Sequence, residues 1–351
     1  MTTANIEEAA ASEAPATDTG PRRKSRTARA LIVTCIILVC AAVVEAGVRI
    51  GLGKRQIAPR IYREQPGLPG FDLAPDASCY GLQSGRFAQI TIDPTGHRLV
   101  VNAPDDPRAQ VVDLVGDSQV FGQGLSDSES FASRMQENLG RSCRIVNHGV
   151  PGYGPFAYAK ELQAIPREHW VIVIQTETND LQDCYTAKTG NIPRCGYLAP
   201  DTWEGHNIPC WMLRLRVFQI GSLMINAMIA NKRPLPANFN PHSVAASETL
   251  LYRNHELFRK EKEARAGRVL FTYVPWAGAW DKSKLKYYVP EITDPVRSVK
   301  LPDDFDIEAP FTQDEKPESL FLPSDDHLSP RGAELMGKAL AEKFRKIAAV
   351  P

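Results

Sequence analysis

The chain has no excess of either charge. Of its 351 residues, 41 are Lys or Arg and 41 are Asp or Glu, so neither nucleic acid nor a strongly anionic partner is indicated. A repeat period and a heptad run are also missing, which argues against solenoids and coiled coils. Cys-x-x-Cys, His-Glu-x-x-His and phosphate-loop patterns are absent too, so no spacing calls for a metal or a nucleotide. Without a Gly-x-Ser-x-Gly elbow, an α/β-hydrolase reading has no nucleophile. Cysteine is sparse, at seven residues. Cys35 and Cys40 lie in an apolar run, and the odd count left for the body (Cys79, Cys143, Cys184, Cys195, Cys210) excludes a full disulfide framework. The last three share one Pro- and Gly-containing stretch. There the sequence suggests either a Cys184–Cys195 bridge or three free thiols, while Cys143 reads as a small core residue.

What is present begins at the N-terminus. Residues 1–29 are Ala-, Thr-, Glu- and Ser-rich and end in the basic cluster Arg22-Arg23-Lys24-Ser25-Arg26 with Arg29. Such a segment cannot bury a core and is expected to be a disordered cytoplasmic tail. Residues 30–44 carry no charge, and counting on past Glu45 and Arg49 to Leu52 reaches the ~20 residues a membrane span needs. Basic residues before the apolar run predict a signal-anchor over 30–52, with the N-terminus cytoplasmic and the body extracytoplasmic. The rivals are a cleaved signal peptide, which would leave a secreted body, and a buried soluble helix.

Residues 53–110 are rich in proline and glycine and hold one alternating run, Phe87–Ile92, that reads as a strand, followed by the turn Asp93-Pro94-Thr95-Gly96. They read as a linker and collar. From Val111 to the end the text alternates. Apolar, valine-rich runs at 111–115, 143–148, 170–175 and 268–275 read as buried parallel strands. Helical patterns fall at 128–139, 155–165, 246–266 and 330–347, with a further apolar piece at 217–229. Two irregular insertions, about 183–247 and 276–322, interrupt the pattern. The expected fold class is α/β, a parallel sheet covered on both faces by helices.

Ligands of open α/β sheets bind beyond the carboxyl ends of the strands, and polar residues gather there. Ser118 follows the first strand, Gly152 the second and Asn179 the third, and Asp325 and His327 precede the last helix. Acyl transfer through a serine needs a base, a carboxylate to orient it, and donors where the oxyanion grows. Ser118 would attack and His327 would take its proton, with Asp325 holding the imidazole. The backbone N–H of Ser118, the N–H of Gly152 and the amide of Asn179 would form the oxyanion hole. Each residue also has a plainer role: Ser118 as a helix cap, Gly152 and Asn179-Asp180 in turns, His327 on an exposed loop. His97, His148, His169, His206, His242 and His255 read as structural or surface residues, with His148 notable for adjoining the second polar block.

Gly116-Asp117-Ser118, Asn147-x-Gly149-x-x-Gly152, Asn179-Asp180 and Asp325-x-His327, in that order, resemble the SGNH (GDSL-type) hydrolase family. The resemblance covers about two thirds of the chain. The basic-then-apolar start, Glu45 with Arg49, and the turn Asp93-x-x-Gly96-x-Arg98 also look like its membrane-anchored bacterial branch. It implies a three-layer α/β/α sandwich with a flavodoxin-like sheet, esterase or acyltransferase chemistry, and no metal or other cofactor. Two positions depart from the pattern. Glu177 stands where the third block usually has Gly, and Ser324 where the last usually has Asp. Asp325 is therefore the preferred orienting residue, with Asp326 or a Ser-His dyad as alternatives.

The expected function is hydrolysis of a carboxylic ester through an acyl-Ser118 intermediate, on a small-molecule or glycan substrate, with the bilayer as partner of the N-terminal helix. One alternative is acyl transfer to an envelope or exported polysaccharide. Another is a non-catalytic domain that binds glycan or scaffolds a complex. Trp203, Trp211, Trp276 and Trp280, in the insertions, would either pack or stack on sugar rings.

Overall fold

The computed structural model describes residues 22–66, 70–176, 193, 195–197, 208–230, 241–275, 304–305, 307–323 and 325–349; side chains are described at these except 22–26, 226–230, 241–252 and 308. Of the expected disordered tail over 1–29, residues 22–29 are instead the first turns of a helix; residues 1–21, the Cys184 thiol, Glu177, Asn179, Asp180, Ser324, His206 and Trp203, Trp276 and Trp280 lie outside the described residues. The chain forms two compact units, Met1–Ile50 and Gly51–Pro351.

Helix α1 spans Arg22–Leu52. Its part Thr27–Leu52, 26 residues, is long and apolar enough to cross a membrane, alone in this among the described residues. At 1.5 Å per residue such a helix outreaches the ~30 Å hydrocarbon layer. Near its end Arg49 Nε donates to Glu45 Oε1 at 2.7 Å, one turn away, so the charges that interrupt the apolar run pair with each other.

The second unit opens with five strands, of which sequence reading resolved one, β5, as the run Phe87–Ile92: β1 (Arg55–Gln56), β2 (Tyr62–Glu64), β3 (Phe71–Leu73), β4 (Ser78–Gln83) and β5 (Arg86–Thr91). They form two small sheets, β1-β4-β5 and the antiparallel β2-β3. The β4–β5 hairpin turns on Ser84-Gly85, with φ +47° and +76°. Positive φ at both central residues is the type I′ geometry that matches strand twist. Serine in that region is strained by roughly 1–2 kcal/mol, and the hairpin tip holds it there.

The main sheet is all parallel: β6 (Gln110–Val115), β7 (Cys143–Asn147), β8 (Trp170–Thr176) and β9 (Val269–Val274), in the spatial order β7-β6-β8-β9. This 2-1-3-4 order is flavodoxin-like, and its topological switch falls between β6 and β8. Strand β9 is buried at every residue, as a strand covered on both faces must be.

Eight further helices follow among the described residues. They are α2 (Ser118–Phe121), α3 (Phe131–Leu139), α4 (Pro155–Ala164), α5 (Cys210–Leu213), α6 (Arg216–Ala230), α7 (Pro241–Ala264), α8 (Glu308–Thr312) and α9 (Pro330–Ala348). Val112, Leu114, Ile172 and Ile174 of the sheet pack with Phe131, Met135, Met336, Leu340 and Phe344 of α3 and α9. On the opposite face Val171, Val173 and Phe271 pack with Tyr158, Leu162 and Phe258 of α4 and α7, joined by Phe71 and Ile90 from the small sheets and by Ile61 just before β2. The body is thus a three-layer α/β/α sandwich.

The disulfide corrects the sequence expectation. Cys195 is bonded to Cys210, with Cα atoms 5.9 Å apart, and not to Cys184. Tyr62 of β2 donates to Gly196 O at 3.1 Å, and Arg60 Nε to Cys195 O at 2.9 Å. The small sheets therefore fix where Cys195 sits, and tertiary placement rather than nearness in sequence selects its partner. Cys79 and Cys143 are buried free thiols.

Candidate active site

The turn from β6 into α2 is built for close approach. A Cβ at Gly116 would lie 2.2 Å from Val120 Cγ2 and 2.7 Å from Ile174 O. Asp117, fully buried, caps the helix by accepting from Gln119 N at 2.8 Å. Ser118 is the first helical residue, where the helix's own turns leave the backbone N–H without a partner. One turn later Gly122, at φ +78°, ends the helix.

Arg98 secures the other end of that single turn. Its buried guanidinium donates to Phe121 O (2.9 Å), Gly122 O (3.1 Å) and Leu125 O (2.6 Å), and pairs with Asp127 at 3.3 Å. Asn147, at the end of β7, donates to Val120 O and accepts from Gly149 N, both at 2.9 Å. A Cβ at Gly149 would lie 2.2 Å from Phe121 N, so the second polar block lies directly against α2. Val150 N donates to Gly116 O at 3.3 Å, and the exposed Gly152 turns at φ +84°.

The loop before α9 is tied to the same turn. Gln119 Nε2 donates to Asp326 O at 3.1 Å, and Gln119 Oε1 accepts from Leu328 N at 3.3 Å. Leu322 N donates to His327 O at 2.7 Å, and Ser329 caps α9. These bonds bring residues 209 positions apart together: His327 Nε2 lies 2.8 Å from Ser118 Oγ, and His327 Nδ1 lies 2.8 Å from Asp325 Oδ1. Asp326 Oδ1 stands off at 3.8 Å, beyond a hydrogen bond, while Asp326 N donates to Asp325 Oδ1 at 2.8 Å. An ionised carboxylate only accepts, so Nδ1 carries the imidazole proton and Nε2 is left to accept from the Ser118 hydroxyl.

The electrostatics follow from burial and two carboxyls. Burial alone would pull the His327 pKa down, but the hydrogen bond and charge of Asp325, with the charge of Asp326, outweigh it and the net shift is upward. Burial pushes Asp325 up, yet its bond to His327 holds it well below the usual carboxylate range. For Asp326, burial and the neighbouring Asp325 push the pKa to about 6. Ligand atoms of Asp325, Asp326 and His327 lie within 4.8 Å of one another, alone among the described residues. Both nitrogens of His327 are already engaged by Asp325 and Ser118, however, so the cluster reads as a proton relay rather than a metal centre.

Sequence reading missed three neighbours of this relay. Gln119 bridges α2 to the His327 loop. Ser84, at the hairpin tip, places its hydroxyl 3.4 Å from His327 Nδ1 and accepts from Gln123 Nε2 at 3.2 Å. The signal was a Ser-Gly turn between two short strands, inside a segment that looked irregular. The other histidines divide as follows. His148, His169 and His97 cluster around Asp113 under α4, and His255 Nε2 lies 3.1 Å from Gln175 Nε2. Trp211 is 64% exposed on α5.

No protein-family model matches the chain, and no curated protein matches it in sequence. Solved structures similar to it include a lipase/acylhydrolase from Enterococcus faecalis, at 14% identity and TM-score 0.36, covering 68% of this chain and 96% of that one. A lipase from a goat rumen metagenome has 16% identity and TM-score 0.37, covering 67% and 97%. A member of the lipolytic protein G-D-S-L family from Veillonella parvula has 12% identity and TM-score 0.34, covering 69% and 99%. Likeness at this level assigns no activity.

Proposed function

We propose that the chain is a serine hydrolase of the SGNH type that acts on carboxylic esters outside the cytoplasm, held to the membrane by α1. The observation that carries this reading is the Ser118–His327–Asp325 hydrogen-bonded relay at the carboxyl edge of the sheet, beside its topological switch. In the reaction Ser118 Oγ attacks the ester carbonyl while His327 Nε2 takes its proton, and Asp325 stabilises the imidazolium. The alcohol leaves with that proton. Water then enters, gives a proton to His327, and releases the acid and free Ser118.

The N–H of Ser118 and Gly152, with Asn179, are the donors we assign to the oxyanion; losing one such donor typically costs about 2.7–4 kcal/mol of transition-state stabilisation. Two features support the location: basic residues precede the apolar helix, and Cys195–Cys210 is a bond that oxidising compartments sustain.

The test is turnover of p-nitrophenyl acetate by the full chain in detergent, beside Ser118→Ala and His327→Ala, with a fluorophosphonate probe as the label. Turnover in the wild type alone supports hydrolysis. A labelled wild type without turnover, which gains activity when a glycan hydroxyl is supplied, redirects the chemistry to acyl transfer. Neither label nor turnover leaves a non-catalytic binding domain.

A further inference from the structure

We propose that Ser84, at the tip of the β4–β5 hairpin, is a positioning residue of the hydrolytic relay: its hydroxyl, held by Gln123, fixes the His327–Asp325 pair. The proposal rests on the reading of Ser118 and His327 above. Three independent observations lead to it. The first is reach: Ser84 Oγ lies 3.4 Å from His327 Nδ1, on the side of the ring that Asp325 occupies. The second is direction. Gln123 Nε2 donates to Ser84 Oγ at 3.2 Å, which fills one of its acceptor positions and leaves its proton for the carboxylate. Consistently, Ser84 is among the groups that hold the Asp325 carboxyl low.

The third is strain. Ser84 occupies φ +47° in a turn where Asn-Gly is the relaxed choice. A strained residue next to reacting groups points to function when the surroundings hold it in place, and here they do. Arg86 makes two bonds to Glu129, at 2.8 and 2.6 Å, and Nη1 of the same arginine reaches Gly124 O at 3.4 Å. Gly124 N in turn donates to Gln83 Oε1 at 3.4 Å. A Cβ at Gly124 would lie 3.3 Å from Ser84 Cβ, so the tip is seated against the loop that follows α2. The collar is thus part of the active site.

A second carboxylate contact from a hydroxyl keeps Asp325 in the plane that the imidazole needs for a neutral, correctly oriented Nε2. Its loss should act on the chemical step and leave substrate binding alone. The experiment compares wild type, Ser84→Gly, Ser84→Asn and Ser118→Ala as full chains in detergent, with p-nitrophenyl acetate kinetics, fluorophosphonate labelling rates and thermal midpoints. Glycine relieves the positive φ, so Ser84→Gly should melt no lower than wild type while kcat and the labelling rate fall about tenfold, as one hydrogen bond's worth. KM should stay within about twofold, and the acid limb of the pH profile should move. Asparagine tolerates the left-handed region and carries a donor, so it should recover part of the rate. Ser84→Gly with wild-type kcat and labelling rate overturns the proposal, as does a loss that merely follows a lowered thermal midpoint. A wild type with neither turnover nor label overturns the reading of function, and the proposal falls with it.

Discussion

Two imidazole–carboxylate pairs in this molecule invite comparison. His327 meets Asp325 at 2.8 Å beyond the sheet's edge, and His148 meets Asp113 at the same distance inside the body. Both imidazoles are nearly buried, at 12% and 8% side-chain exposure. Their surroundings differ. The second nitrogen of His327 faces the Ser118 hydroxyl at 2.8 Å. That of His148 has Glu161 at 3.5 Å, an ion-pair distance without a hydrogen bond's alignment, and the His97 ring packs 4.0 Å away. Asp113 also takes His169 Nδ1 at 2.9 Å, so one carboxylate bridges two imidazoles. Burial lowers the His148 pKa, but Asp113, with Glu161 behind it, pushes it up to about 9. The inner pair is therefore a charged strut joining β6 and α4 to the loop that follows β7. The outer pair has a proton to move and a hydroxyl to take it from. The same two side chains become strut or relay according to what the second nitrogen meets.

The comparison breaks most sharply by removing each histidine. Ser118→Ala or His327→Ala should lower kcat/KM at least about a thousandfold without unfolding the protein, as read by ester turnover beside circular dichroism. Turnover surviving in Ser118→Ala would sink the nucleophile assignment. Asp325→Asn should cost about a hundredfold or more and Asp326→Asn less than about tenfold, because only Asp325 is bonded to the ring. Equal losses would mean that the pair acts as one unit.

His148→Gln should reverse the pattern. Turnover should stay within about tenfold, while stability falls by about 3 kcal/mol because Asp113 loses a partner inside the body; urea unfolding reads this.

The smallest effects come from pH, and they run in opposite directions. His148 rises from its ordinary 6.5 to about 9 on folding, so its stabilisation is complete below 6.5 and drains away as pH climbs through about 9. That shift corresponds to roughly 3 kcal/mol at most. Asp325 has a depressed pKa, so its contribution is present above the ordinary carboxylate value and is lost only in strong acid. The proposed mechanism needs neutral His327, whose pKa is raised. The rate should therefore climb with pH through a midpoint above 6.5, over a range where the fold is already losing stability. Unfolding midpoints and kcat/KM measured from pH 5 to about 10 would check both curves, and a rate midpoint at or below 6.5 would refute the assigned influence of Asp325.

Much of the fold was legible because its signals are local. The apolar runs of β6, β8 and β9 need no knowledge of their neighbours to read as strands buried on both faces. The spacing of Phe131, Met135 and Leu139 likewise gives the buried side of α3 without help. Gly116-Asp117-Ser118 and Asp325-x-His327 were visible as composition at strand and loop ends, and so was their proximity once the strands were taken as parallel. The collar was harder. Strands β1, β2 and β3 have two or three residues each, too few for a period, and Gly81 interrupts β4 although its burial alternates.

The sequence by itself determined the layer architecture and the apolar N-terminal helix, because both depend on residues adjacent along the chain, and it marked Ser118 and His327 as polar residues at strand and loop ends. Tertiary structure alone decided the rest. Cys195 bonds Cys210, Asp325 rather than Asp326 reaches the imidazole, His148 becomes a strut, and Ser84 arrives at the relay from a hairpin more than two hundred residues upstream. Each of these is a choice among chemically equivalent partners, and hydrogen bonds and disulfides are settled by distance and direction, which chain order does not fix.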